Sequence, residues 1–491
     1  MNTSLNTIKF IEHISFASVL RVLFSDLFSK IILLFCVFIG FIIILQSSQT
    51  VFPDQDQYLA IANSILRFQE FSSWCDNSGC APETHRTPGY PIFLSFFGFF
   101  GIGLFGIKLF QAFLYFFTIL LVYGTALRSK LGIIGARAAI AILSFNIQIP
   151  YYFGQIAPEG ICIFLIVLYA FVFSKNSTKI SSIILISSIL AAFFYMRPAI
   201  LMLPIALIIL SILKISKINI RSQVLSLLGL LTLVLPFAFW NLSNHDSFKL
   251  TQIEGGSGVA HLGYWAHKLP VGYINTNYWG NEVIRDVTSP FQSFGEQSKE
   301  HVRLYEDGWA KFNQAFPLND YCYEVSNSIL MPKSPFYNCD IQYIQERERF
   351  LMSDLYSQIT KNPLEYFLQR IYTFNRLFFS GISNTNTSSL IKFIKSSIPF
   401  FITFFFIYLT FLLMTYRILF SNQRKDTPEV FQFMWAVILY FAVSHSFFTI
   451  QARYLVPIHP MLIIYLAYLF TNFYNNSFYK IFRKNKNNLF N

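Results

Sequence analysis

The sequence predicts an all-α polytopic membrane protein, and two properties of its composition lead to this prediction. Of its 491 residues, 54% are hydrophobic and only 13% are charged, whereas a soluble protein carries about 25% charged residues. Phenylalanine alone occurs 58 times. A water-soluble fold cannot bury this much apolar surface, and the chain shows no charge excess typical of disorder, no collagen triplet and no sustained heptad.

Apolar stretches of membrane-crossing length recur along the chain. A helix needs roughly 17–25 residues to cross about 30 Å of hydrocarbon, and about ten stretches approach this length. The predicted spans are residues 30–47, 104–127, 136–152, 156–174, 180–196, 198–213, 222–241, 397–417, 429–448 and 454–474. The apolar segment 92–106 contains glycines at 98, 101, 103 and 106. Because glycines interrupt it, we predict an interfacial or re-entrant piece before the second span.

The basic residues indicate how these spans are oriented. The net charge is +12, and if the N-terminus is inside, every inner loop is basic and the short outer loops are nearly free of Lys and Arg. Cytoplasmic loops carry such an excess, so both termini are predicted to be cytoplasmic, in the inner (plasma) membrane. No cleavable signal peptide is predicted, because the N-terminal segment lacks an early apolar core and a cleavage site. Topology thus explains the positive charge better than a nucleic-acid ligand does.

Two large outer segments divide the chain into four predicted parts. Residues 1–241 form an N-terminal transmembrane module of seven spans, which includes the first outer loop, 47–91. Residues 242–396 are polar and long enough to form a small extracytoplasmic domain. Residues 397–474 carry the last three spans, and residues 475–491 form a basic cytoplasmic tail that is expected to meet anionic lipid.

Four of the six cysteines lie in the two large outer segments. Cys75 and Cys80 share the first, and Cys322 and Cys339 share the second. Two local pairs in an oxidising compartment predict two disulfides, with four free thiols as the alternative. Their spacings do not form the CxxC…CxxC set that is typical of a zinc site.

The most informative residues are ionisable groups near the outer ends of spans. Such groups are costly at a membrane surface unless they are paired or line a solvated cavity, so they are functional candidates. The residues in this position are Asp54, Asp56, Glu83, His85, Arg86, Glu159, Arg197 and Arg453. Three arginines suit a phosphate or pyrophosphate, because guanidinium groups donate paired, charge-assisted hydrogen bonds. A carboxylate suits a general base; the alternative is a structural arginine–carboxylate network that joins helices.

Two motifs of the first outer loop place candidates beside the membrane. Asp54 and Asp56 precede an amphipathic helix whose apolar positions 58, 61, 62 and 65 share one face. This helix is predicted to lie along the outer interface, with Asp54 near its positive N-terminal end; helix capping is the alternative role for both carboxylates. The stiff turn 85–91 contains two prolines and a glycine and presents Arg86 where the chain re-enters lipid. A snorkelling arginine is the alternative there.

Five short motifs in order resemble the membrane-embedded GT-C glycosyltransferases. The chain is most similar to the bacterial branch of the glycosyltransferase 39-like group, with protein O-mannosyltransferases and lipid A aminoarabinose transferases. The motifs are Asp54 four residues before the Tyr-Leu-Ala-Ile-Ala helix that starts at Tyr58, Arg86-Thr87-Pro88-Gly89-Tyr90-Pro91, Pro158-Glu159, Arg197-Pro198 and Arg453-Tyr454-Leu455-Val456-Pro457. The long loop between spans seven and eight departs from the family, whose largest soluble part is commonly near the C-terminus.

This resemblance implies a function and residue roles. The donor is then a polyprenyl-phosphate sugar, and transfer takes place outside the cytoplasm onto a lipid, glycan or protein. Asp54 matches the catalytic acid position, and the arginines match positions that contact the lipid phosphate. Together with Asp54 as the catalytic residue, the predicted substrate-binding residues are Asp56, Tyr58, His85, Arg86, Glu159, Arg197, Arg453 and Tyr454.

The chemistry of such a transfer is a single displacement with inversion at the sugar carbon. Polyprenyl phosphate leaves already ionised, so the arginines are expected to stabilise its charge and no metal cofactor is predicted. The alternative is a divalent cation held by Asp54 and Asp56. Two other functions stay open. A polymerase or ligase that uses a lipid-pyrophosphate glycan would rely on the loop arginines Arg347, Arg349, Arg370 and Arg376, and a flippase or transporter would show charges deep within its spans.

Overall fold

The described part of the chain is mostly helical in the computed structural model. The structure describes residues 15–47, 54–76, 79–175, 179–265, 268–269, 274–275, 282–283, 299–325, 336–378, 406–421, 427–447 and 452–488. Each of the ten predicted spans contains helix within its described residues. Within this part of the chain, the strands form three two-stranded hairpins. The apolar composition therefore folds as an all-α membrane protein.

The first half of the chain contains helices of 6 to 26 residues. The described helices are α1 (Phe16–Ser25), α2 (Leu27–Ser47), α3 (Gln55–Phe68), α4 (Gly89–Phe99), α5 (Leu104–Ala126), α6 (Gly132–Ser144), α7 (Gln148–Phe153), α8 (Glu159–Phe173), α9 (Ile180–Met196), α10 (Leu203–Ile212) and α11 (Ile220–His245). Strands β1 (Trp74–Asp76) and β2 (Gly79–Ala81) form an antiparallel hairpin between α3 and α4.

The second half begins with residues 242–396, which we call the loop segment, and ends with the C-terminal helices. The described helices are α12 (Gly256–Trp265), α13 (Lys299–Ala315), α14 (Leu318–Tyr321), α15 (Ile341–Lys361), α16 (Pro363–Leu377), α17 (Leu409–Leu419), α18 (Glu429–Ser446) and α19 (His459–Asn488). The strands are β3 (Ile274–Asn275) paired with β4 (Glu282–Val283), and β5 (Cys322–Val325) paired with β6 (Phe336–Cys339).

Among the described residues, four helical stretches are individually long and apolar enough to cross a membrane. They are Leu27–Ser47, Leu104–Ser144, Ile220–His245 and Val456–Phe473. Prolines or turns interrupt some of the other predicted spans, whereas the ninth contains the uninterrupted 18-residue α18. The sixth, for example, divides into a 3₁₀ turn at Pro198–Ile200 and the ten-residue α10, which has a proline in its first turn.

Two details of the predicted spans are corrected. The third predicted span, 136–152, is not one continuous helix, because α6 ends at Ser144 and a turn separates it from the six-residue α7. Gly98 and Gly106 do not interrupt the segment 92–106, since α4 continues through Gly98 to Phe99 and α5 begins at Leu104, before Gly106. The break comes at residues 100–103, where Gly101 adopts a φ of 69° that favours glycine.

Two hydrophobic clusters organise the packing. The larger one fills the helix bundle, where α8 packs against α5 and α9, and α6 packs against α2 and α19. The smaller one lies in the loop segment, where α12, α13 and α15 surround the buried rings of Trp265 and Trp309. The described helices α12, α13 and α15 thus pack around a hydrophobic cluster of their own.

A disulfide joins the two strands of the β1–β2 hairpin. Cys75 and Cys80 are joined by a disulfide, and Ser64 Oγ on α3 lies 3.2 Å from Cys75 Sγ, so the β1–β2 hairpin rests on α3. In the loop segment, Cys339 is disulfide-bonded, and Cys322 is its partner in the β5–β6 register.

Candidate functional site

Asp54 stands at the start of α3 and lies between two arginines. Its side chain makes no capping hydrogen bond to the helix, so the capping role is wrong for this residue. Its Oδ1 is 3.0 Å from Arg86 Nη2, and Arg453 Nη1 donates a hydrogen bond of 2.6 Å to Oδ2. Both carboxylate oxygens are therefore engaged by guanidinium groups from distant parts of the chain.

Glu159 is the second carboxylate, at the first position of α8. Arg197 Nη2, in the turn after α9, donates a hydrogen bond to Glu159 Oε1. Arg453 Nη1 lies 3.7 Å from the same oxygen, so Arg453 bridges the two carboxylates. We call Asp54, Arg86, Glu159, Arg197 and Arg453 the arginine–carboxylate cluster.

The cluster carries an excess of positive charge and is partly open. Three guanidinium groups face two carboxylates, which leaves one positive charge in excess. The side chains of Asp54 and the three arginines are 16–22% exposed, whereas that of Glu159 is 0% exposed. A ligand can therefore reach Asp54 and the arginines, while Glu159 acts on the arginines from the buried side.

Aromatic rings and one amide support the guanidinium groups. The Arg86 guanidinium lies 5.1 Å from the centre of the buried Tyr58 ring, and Arg197 and Arg453 each lie 5.9 Å from that of Tyr454. Contacts of this kind orient a cation over a ring. Gln57 Oε1 accepts a 2.7 Å hydrogen bond from Arg86 Nε. Sequence reasoning missed Gln57, because a neutral amide in the first turn of a helix has no charge to mark it.

The turn that carries Arg86 is organised by a buried carboxylate. Glu83 Oε1 accepts the backbone N–H groups of His85 and Arg86, both at 3.0 Å. Burial raises the pKa of Glu83. Burial and the nearby Arg86 charge lower the pKa of His85 to about 4, so its ring is neutral at neutral pH and adds no further charge beside the cluster.

The electrostatics of Asp54 have a direct chemical consequence. Burial on its own raises the pKa of Asp54, but the charges of Arg453 and Arg86 outweigh it, so the pKa is held well below its usual range. Burial likewise lowers the pKa of Arg86, and the Asp54 charge reverses this effect. Asp54 is therefore ionised in the free protein, and it is a weak base as long as both arginines hold it.

Asp56 lies apart from these contacts, since it is exposed in the first turn of α3. The two aspartates do not fit as the divalent-cation site that the alternative requires. Both Asp54 oxygens already accept from arginines, and the surrounding guanidinium charges repel a cation. Within the described ranges, groups of three or more His, Cys, Asp or Glu side chains arranged to hold a metal are absent.

The loop arginines of the polymerase alternative lie in separate environments. Arg347 is buried and pairs with Glu254, whereas Arg349 is 70% exposed and pairs with Glu346, three residues earlier on α15. Arg370 donates hydrogen bonds to the carbonyl oxygens of Ser446 and Gly263. The side chain of Arg376 lies outside the described part. The described three therefore do not form one anion site.

Gly89 sets the distance between two of the cluster's turns. A Cβ atom at this position would lie 2.6 Å from the backbone carbonyl carbon of Tyr195. Gly89 follows Arg86 by three residues and Tyr195 precedes Arg197 by two, so this close contact brings the two arginine-bearing turns together.

We expect Gly89→Ala to destabilise the protein by about 1–3 kcal/mol, because backbone atoms have to move apart, and to reduce ligand binding at the cluster. Thermal unfolding in detergent measures the first effect. Gly103→Ala is the matched control, since a Cβ there meets nothing within 4 Å. Equal stability of the two variants contradicts the role of Gly89.

Comparisons with protein-family models and with characterised proteins find no match to this chain. Similar solved structures include the archaeal oligosaccharyltransferase AglB from Archaeoglobus fulgidus in complex with an inhibitory peptide and a dolichol-phosphate (14% identity, TM-score 0.45, covering 94% of this chain and 52% of that chain). Another is the Archaeoglobus fulgidus oligosaccharyltransferase tethered to an acceptor peptide (14% identity, TM-score 0.41, covering 88% and 49%). The chain spans about half the length of each.

Proposed function

We propose that this protein is a GT-C-like membrane glycosyltransferase, which transfers a sugar from a polyprenyl-phosphate carrier to an acceptor outside the cytoplasm. The observation that carries the proposal is the arginine–carboxylate cluster, in which Arg453 bridges Asp54 and Glu159. Its excess of one positive charge equals the single negative charge of a sugar phosphodiester. The motifs that resemble this class of enzyme contribute all five residues of the cluster.

Donor binding exchanges the partners of the arginines. Phosphate oxygens accept the same paired, charge-assisted hydrogen bonds as carboxylates, so the phosphate competes with Asp54 for Arg86 and Arg453. Glu159 stays buried behind Arg197 and Arg453 and keeps their guanidinium groups facing the donor. Bound phosphate then adds negative charge beside Asp54 and withdraws its hydrogen bonds.

Asp54 becomes the general base at this stage. With the arginines drawn to the phosphate, its pKa rises from the depressed value of the free protein. Asp54 takes the proton of an acceptor hydroxyl or amine, whose oxygen or nitrogen attacks the anomeric carbon as the bond from that carbon to the phosphate oxygen breaks. The sugar carbon inverts. The leaving polyprenyl phosphate gains negative charge, which the arginines stabilise.

The test uses purified protein in lipid nanodiscs with a membrane extract as the source of acceptor. The donor is a mixture of polyprenyl-phosphate hexoses and pentoses or, in a parallel reaction, a polyprenyl-pyrophosphate glycan. We expect mass spectrometry to detect free polyprenyl phosphate and a sugar-bearing product. Arg86→Met together with Arg453→Met is expected to abolish both, whereas Arg67→Met, at an exposed position of α3, leaves them unchanged. Turnover of pyrophosphate-linked glycans alone would favour a polymerase or ligase and overturn the proposal, as would no turnover of any donor.

A further inference from the structure

Glu254 of the loop segment contacts the turn that carries Arg86. The backbone N–H of Glu254 donates a 2.9 Å hydrogen bond to the carbonyl oxygen of Thr84, and Thr84 Oγ1 donates one of 2.8 Å to Glu254 Oε2. Thr84 lies between Glu83, which accepts the Arg86 N–H, and His85. Glu254 therefore contacts the turn at Thr84 with both its backbone and its side chain.

Arg347 on α15 fixes the other oxygen of Glu254. Arg347 Nη2 donates a 2.7 Å hydrogen bond to Glu254 Oε1, and the side chains are only 8% and 10% exposed. Separating a buried charge pair of this kind is costly, because each side chain would then carry a buried charge without a counter-charge. The pair is therefore expected to keep its geometry. The Glu254 carboxylate is thus held between an arginine of the loop segment and a threonine of the first loop.

Two neighbours of Arg347 on α15 hold the surrounding chain. Glu348 accepts the backbone N–H groups of Gly255 and Ser257, each at 3.3 Å. Gln345 Nε2 donates a 3.0 Å hydrogen bond to the carbonyl oxygen of His245 at the end of α11. His245 Nε2 in turn lies 3.2 Å from the carbonyl oxygen of Glu83. One surface of α15 therefore contacts both segments that support the Arg86 turn.

We propose that Arg347 is a positioning residue for the donor. Acting through Glu254 and Thr84, it holds the turn in the place where Arg86 meets Asp54, so the loop segment controls donor affinity without contacting the donor. This inference rests on the proposed function. It also assigns a role to the long loop that departs from the family pattern: the loop segment helps to build the phosphate site.

The experiment measures steady-state transfer by Arg347→Ala in nanodiscs, with donor and acceptor varied separately. Because a hydrogen bond between charged groups is lost, we expect the donor KM to rise about tenfold or more, with the acceptor KM within about twofold of the unsubstituted protein. Arg347→Lys keeps the charge but not the guanidinium geometry, so it should recover part of the affinity. Arg303→Ala, at an exposed position of α13, is the matched control and should behave as unsubstituted protein.

Thr84→Val removes the hydrogen bond from Thr84 Oγ1 to Glu254. This variant tests the same inference if Arg347→Ala does not fold. Thr84→Val should also raise the donor KM. In the double variant Thr84→Val with Arg347→Ala, the two increases should not add, because both residues act through Glu254. An unchanged donor KM in Thr84→Val or in folded Arg347→Ala overturns the inference, and so does a rise confined to the acceptor KM. Failure of the unsubstituted protein to use the donor instead contradicts the proposed function.

Discussion

Asn in place of Asp54 is expected to abolish sugar transfer while the protein still folds. The amide oxygen still accepts a hydrogen bond from Arg453 or Arg86, but the amide cannot take the acceptor proton. General-base catalysis contributes about 10²–10⁴-fold to rates, so we expect a loss of that size in kcat. Because the Asp54 side chain is 16% exposed, water can solvate the arginines that lose their counter-charge, and unfolding should occur near the unsubstituted temperature.

Transfer from a radiolabelled polyprenyl-phosphate sugar measures this loss, and thermal unfolding in detergent confirms the fold. Glu70→Gln is the matched control, because Glu70 is an exposed carboxylate just beyond the other end of α3. Glu70→Gln should change neither the rate of sugar transfer nor the unfolding temperature. Transfer retained by Asp54→Asn within about tenfold would exclude general-base catalysis by this residue, and an equal loss in Glu70→Gln would point to a general effect of charge on the loop.

The charged members of the cluster could be selected from the sequence, but their pairing could not. Full charges near span ends are costly, and this cost marks Asp54, Arg86, Glu159 and Arg197 without any structure. The pairing depends on tertiary packing: Arg453 and Asp54 are 399 positions apart, and nothing local to either residue specifies the other. For the same reason the sequence did not indicate that Arg453 bridges two carboxylates.

Neutral residues and helix ends were harder to predict, for different physical reasons. Gln57 and Thr84 act through single hydrogen bonds, and such side chains are common in loops and first turns whether or not they have a role. Hydropathy located the helices, because transfer from water to lipid depends on composition. It did not locate the break between α6 and α7, since the end of a helix inside an apolar stretch is decided by how its neighbours pack.

Arg197→Met is expected to cause the largest loss of stability in the cluster. Glu159 is completely buried, and its Oε2 has no hydrogen-bond partner among the described residues, so Arg197 supplies its strongest contact. Removing one partner of a buried pair costs about 3–5 kcal/mol, because the remaining charge is uncompensated. Arg453, at 3.7 Å from Glu159 Oε1, compensates part of this charge, so we expect a loss toward the lower end of that range.

Thermal and denaturant unfolding in detergent test this expectation, and the double variant Arg197→Met with Glu159→Gln identifies its cause. Neutralising Glu159 removes the buried charge, so the double variant should be more stable than Arg197→Met alone although it has lost two native side chains. Arg349→Met is the control for losing an arginine: its side chain is 70% exposed, and an exposed ion pair contributes about 0–1 kcal/mol. If the double variant is as unstable as the single one, the loss comes from packing around Arg197, and Glu159 is not the counter-charge that holds the arginines toward a donor.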